Sequence, residues 1–320
     1  MKSKRQEWLA CFEGEDRHAI TNQLYWMIWD TAVYRVINDA RKYAPRDDQG
    51  RVELNGMMHR LINKGFFQTQ ALAIRRLVDT YSLKGEKGVF SLRGLVRDIE
   101  PNRHLLTRWN ILNAEGHEYH YEKVRAAWQR EFEKDVGNDG RTGVYVPEDR
   151  QWHLAEMRHK HMDALADVQP DQRKRSDRPR KEVFDTLKSM LDSCSGEVKQ
   201  YCDKFIAHAA TPGSRTEAYR DDEASLTLKH LYQAHEHLCR VANFVSVYLL
   251  GGGCQGFLPA PQYDQFAYID RPLADEATVE KLRQAWTDYH EEVETWRCIS
   301  DVLEGVEQGP SPADPADDRV

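Results

Sequence analysis

The sequence predicts an all-α protein, and three observations lead to that prediction. Apolar residues recur every three or four positions through most of the 320 residues, as they do on one face of an α-helix. Strict alternation of apolar and polar residues, which is typical of a half-buried strand, is confined to short pieces. The chain also lacks an internal repeat and a glycine-rich loop of the nucleotide-binding type.

The N-terminal third contains three expected helices. Residues 20–43 carry a broad apolar face, which predicts a central core helix, and residues 67–82 form the second helix. The pair Asn55-Gly56 marks a turn in the segment between them. Residues 90–99 form a short third helix, which Pro101 ends.

A charged region at about 105–180 is expected as an insertion into the helical domain. Within it, residues 116–135 are helical, residues 136–150 are a loop rich in Gly and Asp, and residues 150–167 resume a helix. The region ends in a basic linker, QRKRSDRPRKE, at 172–182.

The C-terminal half is predicted to contain three long helices. A continuous apolar stripe runs from Val183 to Phe205, and a second helix covers 224–250 and stops at three consecutive glycines. The last helix, at about 275–304, has apolar residues in a three–four alternation, which suits packing on another helix of the same chain or of a partner. The tail after it is rich in Pro and Asp, and we expect it to be disordered.

These elements predict a helical domain at 1–255, a connecting loop with an amphipathic helix at 256–305, and a disordered tail at 306–320.

Hydrophobic residues make up 40% and charged residues 30%, which indicates a soluble globular chain. The net charge of −7 excludes a general attraction to nucleic acid, so any basic site must be local. The six cysteines are scattered, and no apolar run is long enough for a signal peptide or a membrane span. We therefore expect a cytoplasmic protein without a membrane contact.

The segment YCDKFIAHAATPGSR, residues 201–215, joins an apolar-spaced helix to a basic loop. Its string CDKFIAHA resembles the motif of the HEPN superfamily, the small helical domains found in many prokaryotic toxins and phage-defence ribonucleases. In that family an arginine precedes a polar residue, and a histidine follows after about four to six residues. Asp203 matches the polar position and His208 matches the histidine. N-terminal strings such as YWMIWDTAVYRVINDARKY and FSLRGLVRDI resemble the branch seen in abortive-infection proteins of the U2 type.

The resemblance implies an up-and-down HEPN-like bundle that forms a homodimer, binds RNA and cleaves it without metal or cofactor at the dimer cleft. In the implied reaction a ribose 2′-OH attacks the adjacent phosphate. A histidine can accept or donate a proton near neutral pH, so His208 is the expected acid–base group. Asp203 would orient that histidine or the substrate, and Lys204 would contact phosphate. An antitoxin or another protein partner is implied as well.

Cys202 occupies the position where the family has its arginine. A cysteine cannot supply the fixed cation that would stabilise the charge of the transition state. Among nearby cations, Lys199 lies one helical turn before Cys202 and Arg215 follows in the loop, so either could contact phosphate in its place. The alternative is a catalytically inactive HEPN-like scaffold that dimerises or binds a protein partner.

Other basic residues have a functional and a structural interpretation. A histidine near a helix C-terminus, such as His208, also interacts favourably with the last carbonyl groups of the helix. Arg97 and His104 form a second loose match to the motif, interrupted by Pro101, and are an alternative catalytic pair. Four linker arginines either contact RNA phosphates or belong to a solvated linker: Arg173, Arg175, Arg178 and Arg180.

Several histidines lie close together in the sequence, and histidine is a common metal ligand. His159 and His161 flank one lysine, and His230, His235 and His237 fall on one predicted helix. No cysteine or carboxylate accompanies them at a recognisable zinc spacing, so no metal is expected.

Overall fold

The computed structural model describes residues 2–139, 151–206, 210–218, 226–258, 260–269, 271 and 274–296. The chain divides into two compact units, residues 1–259 and residues 260–320. Over the described residues the secondary structure is helical, without a strand, and one isolated antiparallel bridge joins Arg46 to Val52. The all-α prediction is therefore confirmed.

The first half of the first unit contains five α-helices and a short 3-10 turn at Arg103–Leu105. The helices are α1 (Lys2–Glu13), α2 (Ile20–Tyr43), α3 (Gly56–Leu77), α4 (Leu92–Ile99) and α5 (Arg108–Ala114). The predicted turn at Asn55-Gly56 is wrong, because Asn55 is the N-cap of α3 and its side chain accepts a hydrogen bond of 3.0 Å from the Met58 N–H. Helix α3 consequently begins well before the predicted residue 67.

Over its described residues, the second half of this unit forms five more α-helices, a short 3-10 turn at Pro170–Gln172 and two π-helical turns. The helices are α6 (Tyr121–Asp139), α7 (Gln151–Ala166), α8 (Lys181–Tyr201), α9 (Pro212–Ala218) and α10 (Leu228–Phe244). The π-helical turns, Cys202–Ile206 and Val245–Leu250, continue α8 and α10. Gly251, with φ of 79°, stops the second of them, as the run of glycines predicted.

Helix α8 lies at the centre of the core, where it packs against α3, α4 and α10. Its buried residues Phe184, Leu187, Leu191 and Val198 recur at helical spacing on one face. The large side chains that are almost fully buried include Trp8, Phe12, Ile20, Leu24, Met27, Ile74, Leu77, Leu92, Leu95 and Ile99. Burial of these side chains is the main stabilising contribution, at roughly 1.5–3 kcal/mol for each large aliphatic or aromatic group.

The charged region expected as an insertion at about 105–180 is packed into the same unit. Met162 and Leu165 of α7 belong to the main core, and a smaller cluster joins Leu112, Tyr121 and Ala155. The predicted helix at 116–135 corresponds to α6, and residues 140–150 of the predicted loop lie outside the described residues.

The second unit contains α11 (Glu276–Thr295), and Asp275 caps it by accepting a hydrogen bond of 2.7 Å from the Thr278 N–H. The rest of the predicted 275–304 helix and the predicted disordered tail at 306–320 begin at or beyond residue 297, outside the described residues. No helix among the described residues is long and apolar enough to cross a membrane.

Candidate functional site

The motif segment lies where α8 changes from α-helical to π-helical geometry. Helix α8 ends at Tyr201 and the chain continues as the π turn, which we define as Cys202–Ile206. Short π-helical segments are rare and occur frequently at functional sites. His208, the expected acid–base group, lies outside the described residues together with its two neighbours.

Cys202 begins the π turn and points into the core, with no exposed surface. Burial raises the pKa of its thiol to about 11, so the side chain is a neutral thiol at physiological pH and not a nucleophile. An arginine at this position would place its cation in the hydrophobic core. The position that the resemblance assigns to the arginine is therefore structurally incompatible with a solvent-facing cation.

The cation beside the π turn comes from another helix. Arg75, in the last turn of α3, has its Nε 3.0 Å from Oδ1 of Asp203. Its Nη1 lies 3.5 Å from Oδ2 of Asp79, one turn further along the chain. The hydrogen bond that Arg75 donates to Asp203 raises the pKa of the guanidinium, which is in any case charged at neutral pH. Both side chains of the Arg75–Asp203 pair remain about one third exposed.

Lys204 follows Asp203 and joins the π turn to α9. Its Nζ donates a hydrogen bond of 2.7 Å to Oγ of Ser214. Arg215 is the next residue of α9, but its side chain lies outside what the structure describes. Lys199 lies one turn before the π turn on α8 and is exposed.

The described part of the site therefore combines two cations and two carboxylates on a partly exposed surface: Arg75, Lys204, Asp203 and Asp79. Phe205 is 43% exposed, and its ring stacks with Tyr201 at a centroid distance of 5.2 Å. Such a surface can bind a phosphate through the guanidinium and the ammonium group, and an exposed aromatic ring can stack with a base.

The linker arginines differ in how far they reach solvent. Arg173 makes a two-pronged ion pair with Asp163, with Nη2 2.6 Å from Oδ2, and its side chain is 13% exposed. Arg175 lies over the Trp109 ring, with its guanidinium carbon 4.2 Å from the ring centroid. Arg180 pairs with Asp167 at 2.8 Å on the surface, and Arg178 is exposed. Arg173 is therefore largely withdrawn from solvent, whereas Arg175, Arg178 and Arg180 are exposed.

Arg108 forms a buried hub that the sequence did not point to. Its fully buried guanidinium donates from Nε to Asp177 (3.0 Å), from Nη2 to Asp163 (2.8 Å) and from Nη1 to the carbonyl oxygen of His159 (2.9 Å). Nδ1 of His159 lies 3.2 Å from the same Nη1, and Nε2 of His159 donates to the carbonyl oxygen of Tyr119. Burial lowers the pKa of His159, so the ring is neutral and can accept from Arg108. The Arg108 hub joins α5, α7 and the linker.

The alternative pair Arg97 and His104 has separate local partners. Nη1 of Arg97 donates to the carbonyl oxygen of Thr80, and Nδ1 of His104 donates to the carbonyl oxygen of Pro101. Asp98, the polar neighbour, accepts from Lys4 and from Nε1 of Trp8, each at 2.7 Å. The surrounding contacts give these residues roles in joining α4 to α1 and to the α3–α4 connection.

The remaining histidines do not form a metal site within the described part of the chain, where no group of three or more potential ligands is placed to hold a metal. His230 lines a cleft of about 410 Å³ between α8 and α10, where its Nε2 lies 3.2 Å from Glu197. Its Nδ1 accepts from the N–H of Thr227 as part of a capping box. His235 is buried in the core.

Comparison of the chain with protein-family models, with curated proteins and with solved structures finds no match. The functional interpretation therefore depends on the geometry described above and on the motif residues.

Proposed function

We propose that this chain is a HEPN-like protein of the phage-defence or toxin type that binds RNA and cleaves it without a metal. The observation that carries the proposal is the Arg75–Asp203 pair, because it puts a guanidinium on a side chain that is about one third exposed beside the motif that lacks its own arginine. The guanidinium has five N–H donors, and the two carboxylates engage only Nε and Nη1.

In the proposed reaction each residue has a separate task. Asp203 orients the Arg75 guanidinium, which binds the scissile phosphate and stabilises the charge that develops on it. Lys204 holds α9 against the π turn and adds a second positive charge near the phosphate. His208, two residues after the π turn in sequence, accepts the proton of the ribose 2′-OH or protonates the leaving 5′-oxygen.

The test compares RNA cleavage by four proteins in the presence of EDTA: wild type, Arg75→Ala, His208→Ala and Arg76→Ala. Arg76 is the matched control because it is the next residue on α3 and is exposed. We expect Arg75→Ala to lower the cleavage rate by about 10²–10³-fold and His208→Ala by about 10²–10⁴-fold, while Arg76→Ala leaves it unchanged. The products should carry 2′,3′-cyclic phosphate ends.

A second candidate, an inactive scaffold that binds a protein partner, is favoured by the burial of Cys202. The Cys202→Arg variant would not distinguish the nuclease from the scaffold, because it would place a cation in the core and disrupt the fold. Absence of RNA cleavage by the folded wild-type protein, or equal cleavage by wild type and His208→Ala, would reject the nuclease proposal in favour of the scaffold.

A further inference from the structure

Helix α11 carries an apolar seam, and none of the described residues of its own unit covers this seam. Its apolar residues alternate in steps of three and four: Val279, Leu282, Trp286, Tyr289, Val293 and Trp296, the last being the C-cap. None of the helix residues is buried, and Trp286 and Trp296 are 66% and 62% exposed. Steps of three and four residues are the spacing of a two-helix coiled coil.

The seam is large enough to support a specific interface. An aromatic side chain buries about 150–250 Å² when it is covered. The seam has three aromatic residues, Trp286, Tyr289 and Trp296, which are 58–66% exposed, so covering them in two copies would bury roughly 500–1,000 Å². With the exposed parts of Val279 and Leu282 added, the area approaches the roughly 1,000 Å² expected of a specific protein interface. An isolated helix of this length is only marginally stable in water, so covering the seam would also stabilise α11.

The sizes of the seam residues suit pairing of the helix with itself in the antiparallel direction. When two copies are centred between Trp286 and Tyr289, those two residues face each other across the axis. The next layers on either side then place Leu282 opposite Val293 and Val279 opposite Trp296, so small residues meet large ones at the ends. A parallel pair would instead stack Trp286 on its own copy and Trp296 on its own copy.

The distribution of charge along α11 favours the same direction. Residues 276–283 contain two acids and two bases, including Lys281 and Arg283, and have no net charge. Residues 284–295 contain four acids and no lysine or arginine, which gives a net charge of −4. A parallel pair would bring the two acidic halves together, whereas an antiparallel pair places each acidic half beside the half that carries Lys281 and Arg283.

We propose that α11 pairs with α11 of a second copy of this chain as an antiparallel two-helix coiled coil. The pairing uses none of the residues assigned to the proposed RNA site and does not depend on the proposed function. Its seam is the set of six residues named above, and its outer face is polar.

The first experiment measures the mass of the full chain by sedimentation velocity over a range of concentrations. We expect a dimer of the 37.3 kDa chain that Trp286→Glu dissociates, raising the dimer Kd at least ~100-fold, because a charge would enter the seam. Thr287→Glu is the matched control, because it adds the same charge one residue further along on the outer face and should leave the dimer intact. A monomeric wild type, or a Trp286→Glu dimer of unchanged affinity, would overturn the proposal.

The second experiment tests the direction of pairing by disulfide cross-linking in a Cys254→Ser background, since Cys254 is exposed. A mixture of Leu282→Cys and Val293→Cys proteins should cross-link, and each variant alone should not. Cross-linking of Leu282→Cys with itself would instead show a parallel pair and overturn the antiparallel assignment. Because RNA cleavage is measured on other variants, failure here is distinguishable from failure of the nuclease proposal.

Discussion

Arg108 and Arg75 both pair with two aspartates, but they do so in opposite surroundings. The Arg108 side chain has no exposed surface, and its partners Asp163 and Asp177 are 14% and 8% exposed. The Arg75 side chain is 36% exposed, and its main partner Asp203 is 35% exposed. An ion pair alone therefore does not distinguish a structural arginine from one that can bind a ligand.

The difference lies in which donors remain available to a ligand. Nε, Nη1 and Nη2 of Arg108 all have protein partners, so a ligand could bind there only by breaking the hub. The guanidinium of Arg75 contacts one carboxylate through Nε and another through Nη1, and its side chain is 36% exposed. Arg108 is buried and its three nitrogens all have protein partners, so its role is structural. Arg75 is partly exposed, which makes it a candidate for phosphate binding.

The largest expected effect follows from removing the Arg108 side chain. Arg108→Met should lower the free energy of unfolding by about 3–5 kcal/mol, because it leaves the carboxylates of Asp163 and Asp177 buried without their shared cation. Urea unfolding, monitored by circular dichroism, measures the decrease in the unfolding free energy.

Arg180→Met is the control for Arg108→Met, because Arg180 pairs with Asp167 on the surface, where the side chains are 44% and 71% exposed. We expect it to change the unfolding free energy by less than about 1 kcal/mol. If Arg108→Met and Arg180→Met lowered the unfolding free energy by the same small amount, the Arg108 hub would not stabilise the fold as predicted.

His235 sharpens the comparison, because it is buried as Arg108 is but its Nε2 does not share in a hydrogen bond with the described residues. Its Nε2 is buried and has no hydrogen-bond partner among the described residues, and burial lowers its pKa from 6.5 to about 4. Between pH 6.5 and 4 the unfolded chain binds a proton that the folded chain excludes. The free energy of unfolding should therefore fall as the pH falls through this window, by about 3 kcal/mol in total from His235.

The contribution of His235 to the pH dependence of the unfolding free energy is measured by comparison with His235→Leu. Leucine fills a similar volume and cannot be protonated. The variant should be nearly as stable as wild type at pH 7, because the lost Nε2 has no partner in the described structure. It should lose less stability than wild type between pH 6.5 and 4 in urea titrations. Gln233→Leu, on the exposed side of α10, should retain the wild-type pH dependence, and equal pH dependence of all three proteins would contradict the prediction.

The helical class was predictable because its signal is local. The stripe from Val183 to Phe205 recurs at helical spacing, and α8 with its π turn covers the same residues. The Asn55-Gly56 pair was misread because the same residues that form turns also cap helices, and only the hydrogen bond to the Met58 N–H decides between them.

The decisive polar contacts were not predictable, because each joins residues far apart in the sequence. Arg75 and Asp203 are 128 positions apart, and Arg108 and Asp177 are 69 positions apart. The spacing of charges within a helix indicates its solvent-facing side but not its partner on another helix. Closeness in sequence to Cys202 therefore indicates Lys199, Lys204 and Arg215 as substitute cations, whereas the cation that contacts Asp203 is Arg75 on α3.

The smallest expected change in stability belongs to Arg75, and it completes the contrast with Arg108. Arg75→Ala should change the unfolding free energy by about 1 kcal/mol or less, because the pair with Asp203 is screened by solvent. The same variant should reduce the salt dependence of binding to single-stranded RNA, with the slope of log K against log salt falling by about 0.7 if one phosphate contact is lost. Filter binding at four salt concentrations measures that slope, with Arg76→Ala as the control. A stability loss as large as that of Arg108→Met, with an unchanged salt slope, would mean that Arg75 supports the fold and not a ligand.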